Sequence, residues 1–242
     1  MTRFLLVMVC ALMMRCSPPP APLEKEMLPA LFLPFESSDS TCLFEAFGET
    51  KFSVDNQQFG AHIEFKWKSD NDFKVEFYSP FGGLIGSITP QRTGYWNIVL
   101  GGTTVKKLPR DTVEMASGVI KYPFTYAQFI RVLRGVLFDE ALFKKSPDSL
   151  SFDAKKALCI WKNHAIGEDT FNVTAIISRK HSCVTDVVYR VNRALAWGLV
   201  YSGFSDGVPK EIRFNAPNNN YFYLVYERFF RRTGGQCRKE RY

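Results

Sequence analysis

The sequence predicts a mainly β protein of the α+β kind, an incomplete and strongly curved antiparallel β-barrel with helices covering its open mouth. Three observations carry this. Apolar residues alternate with polar ones over short runs, the period of a strand with one buried and one wet face. The pattern is clearest where Phe59, Ala61, Ile63, Phe65 and Trp67 interleave with Gly60, His62, Glu64, Lys66 and Lys68. Turn-forming clusters separate the runs at short intervals, so neighbouring strands pair as a meander. A helical period intrudes only in the middle, and the order strands, helices, strands calls for a curved sheet partly closed by helices. The chain has 242 residues, the size of one domain with a sizeable core, and its hydrophobic content of 46% includes 22 Phe.

In chain order, Met1 to Arg3 is a short positive region and Phe4 to Met14 an apolar run, too short for the ~20 residues of a spanning helix. Residues 1–15 therefore read as a bacterial secretion signal. Cys16 and the Pro-rich stretch Ser17 to Pro22 resemble a lipoprotein site, with a lipidated cysteine and an extended tether. Met13, Met14 and Arg15 stand where such sites carry a small residue, which leaves an ordinary exported leader as the alternative. Residues 16–42 form the tether, 43–232 the folded domain and 233–242 a basic tail.

The domain starts near Leu43 with a strand to Val54, turned by Asp55 and Asn56 into the Phe59 strand. After the turn cluster Ser69 to Asp72, Phe73, Val75 and Phe77 alternate with Lys74, Glu76 and Tyr78, completing a hairpin. It ends in Ser79-Pro80-Phe81-Gly82-Gly83, where proline stops the ladder and glycine permits a tight reversal, so Phe81 sits at a loop tip. Strands follow at Leu84 to Thr89, Tyr95 to Leu100 and Thr103 to Lys106, the last after a Gly101-Gly102 turn.

The period then changes. Arg110 to Ala116 reads as a short helix. Pro123 to Gly135 reads as a longer one, with Thr125 and Gln128 in capping-box spacing and an apolar stripe of Tyr126, Phe129, Ile130, Val132 and Leu133. That stripe needs cover, and the apolar face of the sheet provides it. Another helical turn is expected at Phe138 to Lys144, before a break at Ser146 to Asp148. Strands return at Lys156 to Lys162, Phe171 to Ser178, Cys183 to Asn192, Leu195 to Ser202, in the run to Phe214, and at Tyr221 to Phe230.

Beyond Cys16, Cys42, Cys159, Cys183 and Cys237 allow three complete disulfide pairings in an exported protein, with buried free thiols as the equal alternative. No CxxC occurs, and His62, His164 and His181 do not stand at ligand intervals from the cysteines, so no metal or other cofactor is expected. GxSxG, HExxH and phosphate-loop motifs are missing, and the reading is of a protein that is not an enzyme. The formal charge of +7 suits anionic partners, but an exported chain is a poor nucleic-acid binder. Arg228, Arg231, Arg232, Arg238, Lys239 and Arg241 make the C-terminal end basic. They either meet anionic headgroups, at ~1 kcal/mol per charge, or form a solvated tail.

Four features in register carry a resemblance: the Phe59 to Gly82 hairpin with its tip, the helix from Tyr122-Pro123-Phe124 to Gly135, Val200 to Phe204, and Pro209 to Arg213. Together they resemble the LolB-like outer-membrane lipoprotein receptors of the LolA–LolB superfamily, over residues 43 to 230. The resemblance implies an incomplete barrel whose apolar concavity holds the acyl chains of lipoproteins or lipids. It implies a monomer anchored at the periplasmic face of the outer membrane and supplied by a periplasmic carrier protein. It also implies a membrane-insertion loop of Pro80, Phe81 and Gly82, because receptors of this family carry an outward leucine at the place of Phe81. Burying an exposed Phe stabilises by about 1.5 to 3 kcal/mol; folding back into the core is the alternative. Phe65, Trp67, Phe77, Phe129, Leu133, Trp197 and Tyr201 are then the candidate cavity lining, or plain core. Extra length between Asp139 and Lys155 departs from the receptors. The competing class is a structural or envelope-assembly lipoprotein whose half-barrel is filled by its own side chains and which binds another protein.

Overall fold

The computed structural model describes residues 41–54, 56–91, 95–100, 104–109, 126–135, 140–143, 145–166, 169–178, 183–205 and 208–233. The secretion signal, Cys16, the tether before Thr41, the Arg110 to Ala116 helix, the Gly101-Gly102 turn and the residues from Arg238 onwards lie outside the described residues. Among the described residues, thirteen strands follow the chain: β1 (Thr41–Val54), β2 (Gln57–Ser69), β3 (Asp72–Tyr78), β4 (Leu84–Pro90), β5 (Tyr95–Leu100), β6 (Thr104–Pro109), β7 (Ser149–Phe152), β8 (Lys156–Ile166), β9 (Asp169–Ser178), β10 (Cys183–Val191), β11 (Ala194–Ser202), β12 (Glu211–Asn215) and β13 (Tyr221–Thr233). Among the described residues, two helices, α1 (Tyr126–Leu133) and α2 (Glu140–Phe143), lie between β6 and β7.

All strands join one antiparallel sheet in the order β6-β5-β4-β3-β2-β1-β13-β12-β11-β10-β9-β8-β7. It is two meanders fused along β1 and β13, and it does not close, since β6 and β7 stand at opposite edges. The pleat sorts its residues: Phe44, Ile63, Phe65, Trp67, Val75 and Ile88 in one meander, and Leu199, Tyr201, Val187, Tyr189, Val173 and Trp161 in the other, share one buried face. The opposite face carries Glu45, Glu64, Lys66 and Lys74, the alternation that a sheet with one solvated face requires.

Type I′ geometry explains the tight hairpins of the second meander. Asn192 and Arg193 (φ 49° and 69°) turn β10 into β11, and Asn218 and Asn219 (φ 59° and 58°) turn β12 into β13. Asparagine tolerates the left-handed region better than most residues, and the twist of such turns matches that of the strands.

Several boundaries differ from the periodicity. The first strand begins at Thr41, ahead of Leu43, because its partner β13 runs on to Thr233, and Thr41 faces Thr233. The Thr103 to Lys106 strand runs from Thr104 to Pro109 against Tyr95. The strand starting at Lys156 does not stop at Lys162. A register shift between Trp161 and His164, with Asn163 at φ 53°, lets it continue to Ile166, since a bulge absorbs a residue that breaks alternation. The alternation Ser149-Leu150-Ser151-Phe152 in β7 is too short to mark a strand by itself; the four residues become one because β8 supplies hydrogen bonds to Ser149–Phe152. Of the helical turn expected at Phe138 to Lys144, Glu140–Phe143 is described and is helical; the rest lies outside the described residues.

Cys159 and Cys183 are buried and free, so neither is bridged, and pairings that use them are excluded. Burial pushes the Cys159 thiol up to about 12 and the Cys183 thiol up to about 11, leaving both neutral at pH 8, where a thiolate nucleophile is needed for alkylation. Iodoacetamide at pH 8 is therefore expected to spare both in the folded protein and label both in denaturant, as peptide mass mapping reads directly. Labelling of either in the folded state would contradict the packing described.

Candidate functional site

Two features stand out functionally: the concave face under the helices, and the rim of the barrel carrying Phe81.

Helix α1 lies over the concavity because its apolar stripe has nowhere else to be buried. Phe129, Ile130, Val132 and Leu133 are all buried in the same core as the concave strands. Phe129 meets Phe222 of β13 edge-on, at 5.7 Å between ring centroids. The C-terminal end of α1 is pinned twice. The Tyr226 hydroxyl donates to the Leu133 carbonyl at 2.5 Å, and Gly135, at φ 75°, packs so closely on Pro209 that an added Cβ would lie 2.4 Å from the proline ring. Glycine at the residue after a helix end is the usual solution to a left-handed stop. Helix α2 is seated on the other meander, where Phe143 packs edge-on against Trp161 and the Trp161 Nε1–H donates to the Lys145 carbonyl at 3.0 Å.

Of the candidate lining residues, Phe65, Trp67, Phe129, Leu133, Trp197 and Tyr201 are buried in this common core, and Phe77 is partly buried against it. The structure separates them into groups. Trp197 stacks on Tyr189 at 3.6 Å and on Phe214 at 5.8 Å, whereas Trp67 lies in the first meander, opposite Phe73. Burial pushes the Tyr201 and Tyr226 phenols well above their ordinary value, so both are neutral donors at neutral pH.

Near Trp67 the site is cationic. The Arg134 guanidinium lies over the Trp67 ring, 3.7 Å from its centroid, while the Trp67 Nε1–H donates to Asp70 Oδ1 at 3.3 Å. Burial lowers Arg134 to about 10; Asp70 counters this, and the neighbouring charges of Arg131 and Arg231 add to it. Arg134 remains charged at pH 7. Its Nε is buried without a hydrogen-bond acceptor among the described residues. Arg131, in the last turn of α1, and Arg134, just past its end, were not among the residues that periodicity singled out; the signal was a pair of arginines flanking an apolar stripe. Tyr189 and Tyr226 were also missed, although both fall on the buried parity of their strands.

The rim is built from the hairpin β3–β4. The Ser79 carbonyl accepts from the Gly82 N–H at 2.9 Å, and the Ser79 N–H donates to the Gly83 carbonyl at 2.7 Å. The Ser79 side-chain oxygen accepts from the Gly83 N–H at 3.1 Å. Within this loop only Gly82 takes a left-handed φ, 84°, the arrangement of a three-residue hairpin loop with a glycine bulge. Pro80 fixes the preceding corner. Phe81 is thereby held outward at 99% exposure, and the alternative in which it folds into the core does not occur. Antiparallel register puts the β1–β2, β10–β11 and β12–β13 turns at this same end. With Phe81, the exposed Phe59, Leu84, Ile85, Val191 and Leu195 all fall there, against Phe152 and Phe230 at the other end, among the described residues.

On the outer face, a cleft of about 430 Å³ opens between Leu195, Gly198, Arg213, Asn219 and Tyr221. Arg213 Nε–H donates to Asn215 Oδ1 at 2.9 Å, and its guanidinium lies 5.5 Å from the Tyr221 ring centroid. No group of three potential metal ligands occurs among the described residues, and none of the described helices is long and apolar enough to cross a membrane.

No protein-family model matches the sequence, and no curated protein matches it significantly. Solved structures do resemble the fold. A DUF1329 family protein from Desulfovibrio piger superposes with a TM-score of 0.54 at 8% identity, covering 84% of this chain and 91% of that one. A LolA superfamily protein from Nitrosomonas europaea gives 0.50 at 7% identity, covering 86% and 93%. At these identities the likeness is one of fold alone, and it does not single out LolB.

Proposed function

We propose that this protein is a non-enzymatic envelope protein that takes acyl chains of lipoproteins or lipids against its concave face and docks on a lipid surface through the Phe81 rim. The observation that carries the reading is Phe81 itself, fully exposed on a hydrogen-bonded turn, where an ordinary core would recruit a Phe. The apolar concavity under α1 and the LolA-superfamily fold support it, as does a leader of secretory type. Anchoring through Cys16 at the outer membrane, a monomeric state and a periplasmic donor belong to the same proposal. Transfer follows from differential burial: chains leave when α1 moves and the bilayer offers a better solvent.

A second reading has its own observation. The stripe of α1 already fills the concave face with Phe129, Ile130, Val132 and Leu133, as a self-filled half-barrel that binds another protein would. Native mass spectrometry of the full chain with Cys16→Ser, after incubation with a palmitoylated peptide, separates the two. A detergent-displaceable complex of one peptide per chain is expected. A chain that stays empty would reject acyl binding and leave the self-filled reading.

A further inference from the structure

A half-buried guanidinium is costly unless something pairs with it. The Arg134 guanidinium lies over Trp67, its central carbon 3.7 Å from the ring centroid. Stacking on an aromatic face offsets part of the desolvation cost and presents the edge of the guanidinium for pairing. Among the described residues it makes no ion pair, and its one acidic neighbour, Asp70, is engaged by the Trp67 indole. Two further arginines, Arg131 and Arg231, act on the same point. Arg131 comes from the last turn of α1, which Arg134 directly follows, and Arg231 from β13, opposite Phe44. Chains from three places, β2, α1 and β13, thus bring an indole platform and three guanidinium groups to the edge of the concave core.

We propose that Arg134, with Arg131 and Arg231 beside it, binds the phosphate group of an anionic amphiphile whose chain lies against the concave face. The inference rests on the acyl-binding reading for the chain, and adds the chemistry of the head. Phosphate is favoured over a carboxylate because a tetrahedral oxyanion accepts from several forks at once, whereas a carboxylate is satisfied by one. The lowered affinity of Arg134 for its proton fits a cation held out of water until an anion arrives. Phe81 lies at the opposite end, since the β2–β3 turn next to Trp67 and the β3–β4 turn sit at the two ends of one strand. The headgroup is therefore recognised away from the lipid-docking rim.

The test compares two ligands with the same chain, lauroyl-lysophosphatidic acid and monolauroylglycerol, on the full chain with Cys16→Ser. Calorimetry is expected to show the phosphate ligand binding about tenfold tighter, the scale of one charge-assisted hydrogen-bond set. Arg134→Met, which keeps an apolar stem on Trp67, is expected to abolish that preference and leave the neutral ligand unchanged. Arg231→Gln should reduce it. In the unsubstituted chain, inorganic phosphate should shift the Arg134 Nε–Hε resonance while chloride at equal ionic strength does not, a readout that needs no substitution. Equal binding of both lipids, with no phosphate shift, overturns the anion site and leaves acyl binding standing. A phosphate shift with neither lipid bound keeps the anion site and rejects the acyl reading. A preference that survives Arg134→Met in a folded chain overturns the assignment to Arg134.

Discussion

Phe81→Glu is expected to lower the association of this protein with phospholipid vesicles by tenfold or more without altering its fold. The side chain contributes no packing, being 99% exposed, and surface substitutions of that kind change stability by about 0.5 kcal/mol or less. In a bilayer the balance differs, because a buried Phe side chain stabilises by about 1.5 to 3 kcal/mol and Glu would have to be neutralised or left in the headgroups. The backbone that presents it stays intact, since its three hydrogen bonds use Ser79, Gly82 and Gly83. Cosedimentation in the Cys16→Ser background removes any contribution of a lipid anchor. Phe81→Leu serves as the conservative control and should stay within a few-fold of the parent. If Phe81→Glu sediments with vesicles as the parent does, while thermal melts agree, the rim is not a lipid-docking surface.

The two halves of the candidate site differ in how far the sequence discloses them. The tip was legible because its determinants are local: Pro80 and Gly82 fix a loop whatever the rest of the chain does. The strands β2 and β3 were legible for the same reason, each carrying its own alternation. Residues 149–152 were not, because an edge strand of four residues exists only by virtue of β8. Nor was the Arg134 cluster. Arg131 and Arg134 read as the wet margin of an amphipathic helix, and their meeting with Trp67 depends on where α1 lands on the sheet. That landing is decided by nonlocal contacts, Tyr226 to Leu133 across 93 residues and Gly135 on Pro209. Phe77, Trp67 and Trp197 could be assigned to a buried face by parity, whereas their division between two meanders follows only from the β1–β13 pairing.

That pairing is also where the molecule is most vulnerable, and Gly48→Ala is expected to cost about 3 kcal/mol or more, in the range of severe overpacking. At the register shift between Phe47 and Gly48, Gly48 faces Tyr226 and Phe47 faces Arg228, so β13 carries an extra residue, Glu227. The bulge draws β13 in so tightly that a Cβ on Gly48 would lie 2.1 Å from the Val225 carbonyl oxygen and 2.9 Å from the Tyr226 Cα. Both are backbone atoms, and no side-chain rotamer relieves them. Since β1 and β13 alone join the two meanders in the sheet order, the displacement cannot be confined to an edge. It also shifts Tyr226, whose hydroxyl holds the end of α1, so the helix should loosen over the concavity as the seam opens. At 2–4 °C per kcal/mol for a chain of this size, the melting temperature should fall by roughly ten degrees. Gly60→Ala, one strand away, provides the matched control: its nearest neighbour is the Thr50 carbonyl oxygen at 3.9 Å, and alanine there should be neutral or slightly stabilising. Equal melting of the two variants would refute the close approach at Gly48, while a large loss confined to Gly48→Ala would place the mechanical link between the halves, and the seat of α1, at that one glycine.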